Sequence, residues 1–536
     1  MGDAEGTRFE DGRVVTPSGF RAAYEQLIEG GWHASPVPEE EGGIGLSTLI
    51  SQCIEEMGAG ANIAFQMFHG FTASAIHVVR LFGESWLANL VNPKLVAGKW
   101  SATMCLTEPE AGSDLTNVRT RAVVQADGTY RISGSKIFIS AADHDLTDNI
   151  VHIVLARARD LEGQERPGLA GLNVFAVPKW SFRDGARNGV EVVAIEHKMG
   201  LHGNPTCAVE FENAVGHLLA PGKHGSAAGM APLFEMMNHA RLSTGIGALG
   251  VAAAAMEMAH QYATERRSGR AMGSAAVRSA PADPIILHPD VRRMVMSGWA
   301  FVEGGRAMIS WTALLIEEAR HHPDPDVRQE SALLAQLLTP IIKAFLTDHA
   351  HAVCDDCIQI HGGHGYVRET GIEQFVRDVR ITRIYEGANG IQAQDLVMRR
   401  MTVGDGMAVR VLLGQIDAFL DAQSNSGPNI IMNGLKQATM HLEAAVALAN
   451  DYRSARPDIL LTCSTDLLEL FGLVLVGWRL AVSATIARHV GEELFTHKRL
   501  LAEQWAVRHA VLSGSLLERM KCANLAFDAG DASTWR

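Results

Sequence analysis

The chain has 536 residues, with 47 Lys and Arg against 60 Asp and Glu and a net charge of −13. That length exceeds one compact core, so two to four domains are expected, and the acidic balance argues against a protein built to hold phosphate backbones. Seven cysteines, at positions 53, 105, 207, 354, 357, 463 and 522, are odd in number and make no disulfide framework, as expected of a soluble protein in a reducing cytoplasm.

The opening MGDAEGTRFEDGR has neither the basic start nor the apolar core of a signal peptide. Gly2 begins no myristoylation site, because residue 6 is Gly. Residues 17–100 read as helices: FRAAYEQLIEGGW and TLISQCIEEMGAG keep helical spacing, and PVPEEEGGIGL separates them. From 101 to 222 the texture turns to strands, in WSATMCLTE, TRAVVQADGTYRISGSKIFIS, NIVHIVLARAR, LNVFAVPK and CAVEFENA, with ADGTY as a hairpin turn. From 226 to 400 helices rich in Ala, Met and Leu return, interrupted by the irregular SGRAMGSAAVRSAPADPIILHPD. Residues 407–536 read as a further helical unit. Its longest apolar run, LFGLVLVGWRLAVSATIA, carries Arg479 at the middle, which argues against a membrane span. The order helical, β, helical, helical predicts a multidomain α+β protein, without the alternation of a doubly wound parallel sheet.

Three signals look specific and have better structural readings. Gly245-Ile-Gly-Ala-Leu-Gly250 matches a dinucleotide fingerprint, but a helical segment precedes it where a strand is required. Small residues that let two helices approach account for it better. Cys354 and Cys357 have C-x-x-C spacing without a second pair, and read as core cysteines one helical turn apart. His361 and His364 lack the partners of a ligand set, so no metal is expected.

Four other stretches offer chemistry. Thr107-Glu-Pro-Glu-Ala-Gly-Ser-Asp114 joins the first β-run to a loop rich in hydroxyls and backbone N–H groups. Phe138-Ile-Ser140 ends a strand with an aromatic and a hydroxyl two residues apart, hence on one face. Gln359-Ile-His-Gly-Gly-His-Gly365 is a glycine-rich turn after a helix, suited to close approach to a phosphate or ring. RDVRITRIYEGANGIQ then sets a lone carboxylate, Glu386, at the mouth of an apolar patch. Singly these are a turn residue, a core aromatic, a helix stop and an exposed acid.

Together, with P-E-E-E-G-G-I-G-L at 38–46 and Y-A-T-E-R-R ending at Arg267, they resemble the acyl-CoA dehydrogenase family of flavoproteins over residues 17–400. The length, Ser-Gly-Arg after Arg267 and the C-terminal addition look most like the 3-methylmercaptopropionyl-CoA dehydrogenase branch. The resemblance implies a helical N-terminal domain, a β-barrel-like middle domain, a four-helix bundle and an extra helical C-terminal domain. It implies FAD as cofactor and removal of an α-proton from an acyl-CoA by Glu386 while a hydride leaves the β-carbon for flavin N5. A pocket that excludes water raises the pKa of such an acid, and hydrogen bonds to the thioester oxygen stabilise the enolate. By the same resemblance Met104, Leu106, Thr107 and Ser113 line the flavin ring, and Phe138 and Ser140 stack on and bond it. Arg266 and Ser268 reach the pyrophosphate across a subunit boundary. Gln359, Gly362 and Gly363 meet the far end of that FAD, so the site needs at least a homodimer, with a homotetramer also open. Ala388 and Gly390 complete the cofactor set. Ser113, Asn238, Arg241, Tyr385 and Gly387 are the expected substrate contacts, and an electron-transferring flavoprotein is the expected acceptor.

This sequence departs from the family at two places. Ala388 stands where relatives carry Thr, removing a hydroxyl contact to FAD, and the segment 268–289 is longer, which weakens any assignment of His288 to the cofactor. Competing readings are an acyl-CoA oxidase and a DNA-associated alkylation-response flavoprotein. The latter relies on a basic C-terminal domain, whereas residues 405–536 carry 12 Lys and Arg against 14 Asp and Glu, which argues against nucleic acid. The C-terminal unit is expected to be a scaffold without a ligand of its own. Relatives in the branch usually carry further N-terminal helices, so a start upstream of Met1 is expected; the alternative leaves residues 1–16 as a loose arm with Leu27, Ile28 and Trp32 uncovered.

Overall fold

The computed structural model describes residues 2–159, 163–220, 227–272, 280–424 and 429–528. Part of the expected irregular segment, 273–279, and the last eight residues of the C-terminal unit lie outside the described residues. The chain folds as two compact units, Met1–Ser243 and Thr244–Arg536.

The first unit opens with a short helix α1 (Gly2–Glu5) and a hairpin of β1 (Arg8–Glu10) and β2 (Arg13–Val15). Asp11 and Gly12, both at positive φ, make the turn. These residues are not a loose arm. The Thr7 N–H donates to the His202 carbonyl at 2.9 Å, Asp3 pairs with His202 at 2.9 Å, and the Thr16 hydroxyl donates to Asp145 at 2.7 Å. Hairpin pairing and these anchors satisfy backbone groups that an arm would leave to water. Leu27 and Ile28 are half-buried on α2 (Phe20–Glu29), while Trp32 stays 47% exposed. Next come α3 (Thr48–Phe82) and α4 (Ser85–Val96). α3 breaks at Asn62, whose side chain accepts the Phe65 N–H at 3.0 Å and so caps the segment that restarts there.

Seven strands follow: β3 (Trp100–Cys105), β4 (Arg121–Val124), β5 (Tyr130–Ser140), β6 (Asn149–Arg159), β7 (Leu172–Pro178), β8 (Val190–Ile195) and β9 (Thr206–Leu218). Pairing runs β6–β4–β5–β9–β7 and returns to β6, a closed barrel-like ring, with β3 on β6 and β8 on β9. β6 and β7 are buried on both faces. Val154, Ala156, Phe175 and Val177 fill the ring, and Ile153, Leu155, Val174 and Ala176 pack with Ile76, Val79, Leu87 and Val91 of the helices. This double burial explains their unbroken apolar sequences.

α5 (Ala231–Glu265) begins in the first unit and ends in the second. The second unit adds α6 (Pro289–His321) and α7 (Pro325–His361), each with Pro in its first turn, then α8 (Ile372–Val379) and α9 (Asn389–Met398). A Cβ on Gly245 would lie 2.7 Å from Ile342 of α7, so Gly245 serves helix packing. Cys354 and Cys357 are buried on α7, and Cys357 Sγ meets Met256 Sδ at 3.6 Å.

The chain ends in α10 (Met407–Ala422), α11 (Ile430–Ala455), α12 (Pro457–Thr462), α13 (Ser464–Ala487), α14 (Glu492–Lys521) and α15 (Ala523–Asp528). α13 is buried nearly all round, packed on α6, α7 and α9 as well as on α11 and α14. Gly472 receives the Phe345 ring of α7, and Gly304 of α6 faces Val476 and Leu480. Polar ties join the same elements: Lys498 to Glu303, His349 to Glu469 at 2.9 Å, and Arg453 to the Val397 carbonyl at 2.7 Å. Arg479 lies over the rings of Trp478 and Trp311, 4.6 and 5.0 Å from their centroids.

Candidate functional site

Within the first unit the loop after β3 is fixed from below by a buried ion pair. Lys136, 0% exposed on β5, donates through Nζ to Glu108 Oε1 at 2.8 Å and to the Leu106 carbonyl at 2.9 Å. Glu108 also accepts the backbone N–H groups of Arg119 at 2.7 Å and Thr120 at 3.0 Å. The Ile137 N–H donates to the Thr107 carbonyl at 2.9 Å. Burial alone would raise the Glu108 carboxyl, but Lys136 and these donors hold it below the ordinary range. Asp114 shapes the far end by accepting the Thr116 N–H at 2.9 Å and its hydroxyl at 2.6 Å, leaving Ser113 exposed.

β5 is not the regular strand that alternation assumes. Its register slips between Lys136 and Ile139, and Phe138 takes φ of 59°. Before the bulge Tyr130, Ile132 and Lys136 point inward; after it Ile139 does. Phe138 and Ser140 flank the inward Ile139 by strand alternation, while the bulge turns Phe138 away from the side that Lys136 takes. The Phe138 ring is 58% exposed. An aromatic held outward on strained backbone beside a hydroxyl fits a planar ring seated on it. Met104 and Leu106 are half-buried beside this face's own loop.

On the first-unit part of α5, Asn238 is half-buried and Arg241 is buried. Ser243, two residues on, donates its hydroxyl to Glu55 of α3. Burial pushes the Glu55 carboxyl up to about 6, with the Ser243 bond acting against it.

The second unit brings together the ends of α5 and α7. Tyr262 stacks on His361 with centroids 4.3 Å apart, and its hydroxyl meets His364 Nδ1 at 3.4 Å. Arg266 and Ser268 on one side, and Gln359, Gly362 and Gly363 on the other, are all exposed. Gly362 has φ of 59°, and a Cβ on it or on Gly363 would meet nothing within 4 Å. Two open glycines beside an exposed Arg fit a phosphate group approaching the backbone. The segment after Arg266 is pinned by Asp283, fully buried, which pairs with Arg270 at 3.3 Å and accepts the Ala271 N–H at 2.9 Å. His288 Nε2 meets the Ser268 carbonyl at 2.8 Å, so it is committed to the loop's own structure. His361 Nδ1 is taken by the Cys357 carbonyl at 2.7 Å. Among the described residues no group of His, Cys, Asp or Glu could hold a metal ion.

Glu386 lies in the turn before α9, half-buried, with φ of 58°, and Gly387 follows with φ of 89°. A left-handed non-glycine residue costs about 1–3 kcal/mol and persists only where its surroundings over-determine it. Here Lys343 of α7, 0% exposed, donates to the Gly387 carbonyl at 2.7 Å and to Asn389 Oδ1 at 2.8 Å. Gln392 Nε2 donates to the carbonyls of Glu386 at 3.2 Å and Gly387 at 3.3 Å. Asn389 is held in turn by Thr347 Oγ1 at 2.9 Å. Tyr385 is half-buried before this turn. Ala388 occupies the N-cap of α9 without a side-chain cap, and Gly390 is exposed in its first turn.

The sequence reading missed Lys136, Glu108, Asp283, Lys343, Asn389 and Gln392. Two of them had a visible signal. Lys136 sits at an inward position of YRISGSKIFIS, and Lys343 stands alone in the apolar run LLTPIIKAFL; a charge in such a place needs a built partner.

Comparison with known proteins bears on the family and the fold. The profile of "Acyl-CoA dehydrogenase, middle domain" matches residues 103–214, that of "Acyl-CoA dehydrogenase, C-terminal domain" residues 227–401, and that of "Acetyl-CoA dehydrogenase C-terminal like" residues 412–524. The chain is 39% identical over 495 residues to 3-methylmercaptopropionyl-CoA dehydrogenase of Ruegeria pomeroyi, covering 91% of this chain and 82% of that protein. It is 33% identical to the broad-specificity linear acyl-CoA dehydrogenase FadE5 of Mycobacterium tuberculosis, covering 88% of this chain and 79% of that protein. A crystal structure of acyl-CoA dehydrogenase complexed with FAD from Bacillus anthracis shares the fold, with a TM-score of 0.76 at 23% identity, covering 94% of this chain and 82% of that one.

Proposed function

The chain belongs to the acyl-CoA dehydrogenase family, and from that premise we propose that it oxidises an acyl-CoA thioester between its α and β carbons, with Glu386 as the base. The observation that carries the assignment is the strained Glu386–Gly387 turn, whose carbonyls are gripped by Lys343 and Gln392. Strain maintained by buried bonds around a single acid marks a group whose direction matters.

FAD, when bound, supplies the two-electron acceptor for the β-hydride. The protein's share is to hold and aim. Phe138 and Ser140, with Met104, Leu106, Thr107 and Ser113, would hold the flavin ring, and Arg266, Ser268, Gln359, Gly362 and Gly363 its phosphate end. Ala388 and Gly390 would border the cofactor near the base. Asn238 and Arg241 would engage the CoA moiety, and Tyr385 and Gly387 the acyl chain beside the thioester. Glu386 takes the α-proton onto its carboxylate oxygen and holds it away from the departing hydride.

For the substrate we propose 3-methylthiopropanoyl-CoA, a reading supported by the 39% identity to the Ruegeria pomeroyi enzyme. We propose further that the enzyme works in the cytoplasm as a homodimer or homotetramer, hands its electrons to an electron-transferring flavoprotein, and needs neither membrane nor nucleic acid. The test is a panel of acyl-CoAs of increasing length, with and without a thioether sulfur, scored by loss of the flavin's visible absorbance without oxygen. Bleaching should be fastest with 3-methylthiopropanoyl-CoA. A faster reaction with an unbranched acyl-CoA overturns that substrate, and no bleaching with any thioester overturns the activity.

A further inference from the structure

We propose that Lys343 is a positioning residue for the base: its buried ammonium sets the direction and the ionisation of Glu386 through the backbone of the turn. This rests on the assignment of Glu386 as the base.

Lysine is almost never fully buried, because the ammonium loses its water. Lys343 is buried completely in the middle of α7, within a stretch of buried apolar residues from Leu337 to Leu346. Its Nζ donates to two oxygens of one short turn, the Gly387 carbonyl at 2.7 Å and Asn389 Oδ1 at 2.8 Å. Both lie within three residues of Glu386. The Gly387 bond ends on the main chain of the turn, and the action passes through it. A carbonyl fixed at Gly387 fixes the peptide plane between Gly387 and Ala388, and Gln392, bonded to the Glu386 carbonyl at 3.2 Å, fixes the plane between Glu386 and Gly387. With φ of 58° at Glu386 and 89° at Gly387, the turn holds two consecutive left-handed residues, a conformation that relaxes when its anchors are removed. Asn389 is anchored to Thr347 at 2.9 Å and to the Ala344 carbonyl at 3.2 Å. The whole clamp is thereby referred to α7, a helix 37 residues long.

The second effect is electrostatic. A positive charge bonded to the residue after the base favours the carboxylate over the acid.

The experiment uses the FAD-loaded enzyme with Lys343→Met, Gln392→Leu and Glu386→Gln, and two readouts. One is kcat and KM against pH. The other is mass-spectrometric exchange, in D2O, of the α-hydrogens of an acyl-CoA with sulfur in place of the β-carbon; that compound can lose an α-proton but has no β-hydride. Lys343→Met should lower kcat about 10²-fold, as a misaimed group does, with KM within about threefold. Its kcat profile should rise at higher pH than that of the parent, and α-hydrogen exchange should slow in proportion. Gln392→Leu removes a weaker, uncharged anchor, so it should lower kcat and exchange without moving the pH profile. Glu386→Gln should abolish exchange; if it does not, the base lies elsewhere and the premise fails. If Glu386→Gln abolishes exchange while Lys343→Met leaves kcat, exchange and pH profile unchanged, the positioning role is overturned. Should Lys343→Met not fold, Gln392→Leu decides, and unchanged kcat and exchange in that variant overturn the role.

Discussion

Lys136 and Glu108 meet inside the first unit at 2.8 Å, with side-chain exposures of 0% and 6%. Breaking a buried pair leaves the survivor charged and unmatched, which costs about 3–5 kcal/mol, whereas replacing both partners by apolar groups is often neutral. Lys136→Met should therefore destabilise the FAD-free protein by about that amount in denaturant titrations, and Lys136→Met with Glu108→Leu should recover most of it. The double variant should still bind FAD more weakly, because the Leu106 carbonyl loses its anchor. Full recovery of FAD binding would show that the pair serves stability alone.

Glu386→Gln should keep its FAD and its thermal unfolding temperature while losing at least ~10²-fold in kcat, since the amide is nearly the same size but cannot accept the proton. Steady-state rates beside the flavin absorbance ratio check this. Near-parental turnover would place the base on another residue.

The candidate contacts separate by unit: Phe138 and Ser140 in the first, Arg266 and Gln359 in the second. If one FAD is shared between subunits, an inactive Arg266→Ala protein mixed with an inactive Phe138→Ala, Ser140→Ala protein should regain activity after subunit exchange, because some mixed dimers carry one intact site. Exchange demonstrated by native mass spectrometry without recovered activity argues for a site within one chain.

His349 packs against Phe301, Phe345 and Trp505. Burial works to lower its pKa, but Glu469 at 2.9 Å and Asp348 more than offset this, and the net shift is upward. A raised pKa stabilises the fold fully below the ordinary histidine value of 6.5, and that contribution is lost as pH rises through the folded-state pKa. Stability of the parent should therefore fall across that window more than that of His349→Gln. Urea titrations at a series of pH values measure the difference; parallel curves would mean that the ion pair contributes nothing.

Cutting the chain at residue 404 removes α10 to α15 and bares the faces of α6, α7 and α9 that α13 covers. Aggregation or altered assembly should follow, measured by light scattering. A truncated protein that stayed monodisperse and fully active would show that the C-terminal helices are dispensable.

The order of helical and β-rich regions was legible because burial imposes a period, and the family because its motifs are contiguous stretches. β8 escaped notice because VEVVAI, exposed along much of one face, keeps no clean alternation. The hairpin at residues 8–15 escaped because its strands are only three residues each and gain their hold from His202 and Asp145, far along the chain. The bulge that gives Phe138 its positive φ went unread because no pattern in YRISGSKIFIS marks it. Lys136 and Lys343 went unread because each derives its role from oxygens brought to it by folding: Leu106 and Glu108 for one, Gly387 and Asn389 for the other. Spacing along a sequence does not encode such meetings.

Gly472 on α13 accepts the ring of Phe345, two residues along α7 from Lys343. The fit ties the history of the two regions together. A lineage that shed its last helices would strand Phe345 in water, and one that acquired them would need a glycine opposite an aromatic from the outset. Gain or loss of this appendage therefore bears on position 345, so grafting the appendage onto a shorter enzyme should succeed only where the side chain at that position fits the notch left by Gly472.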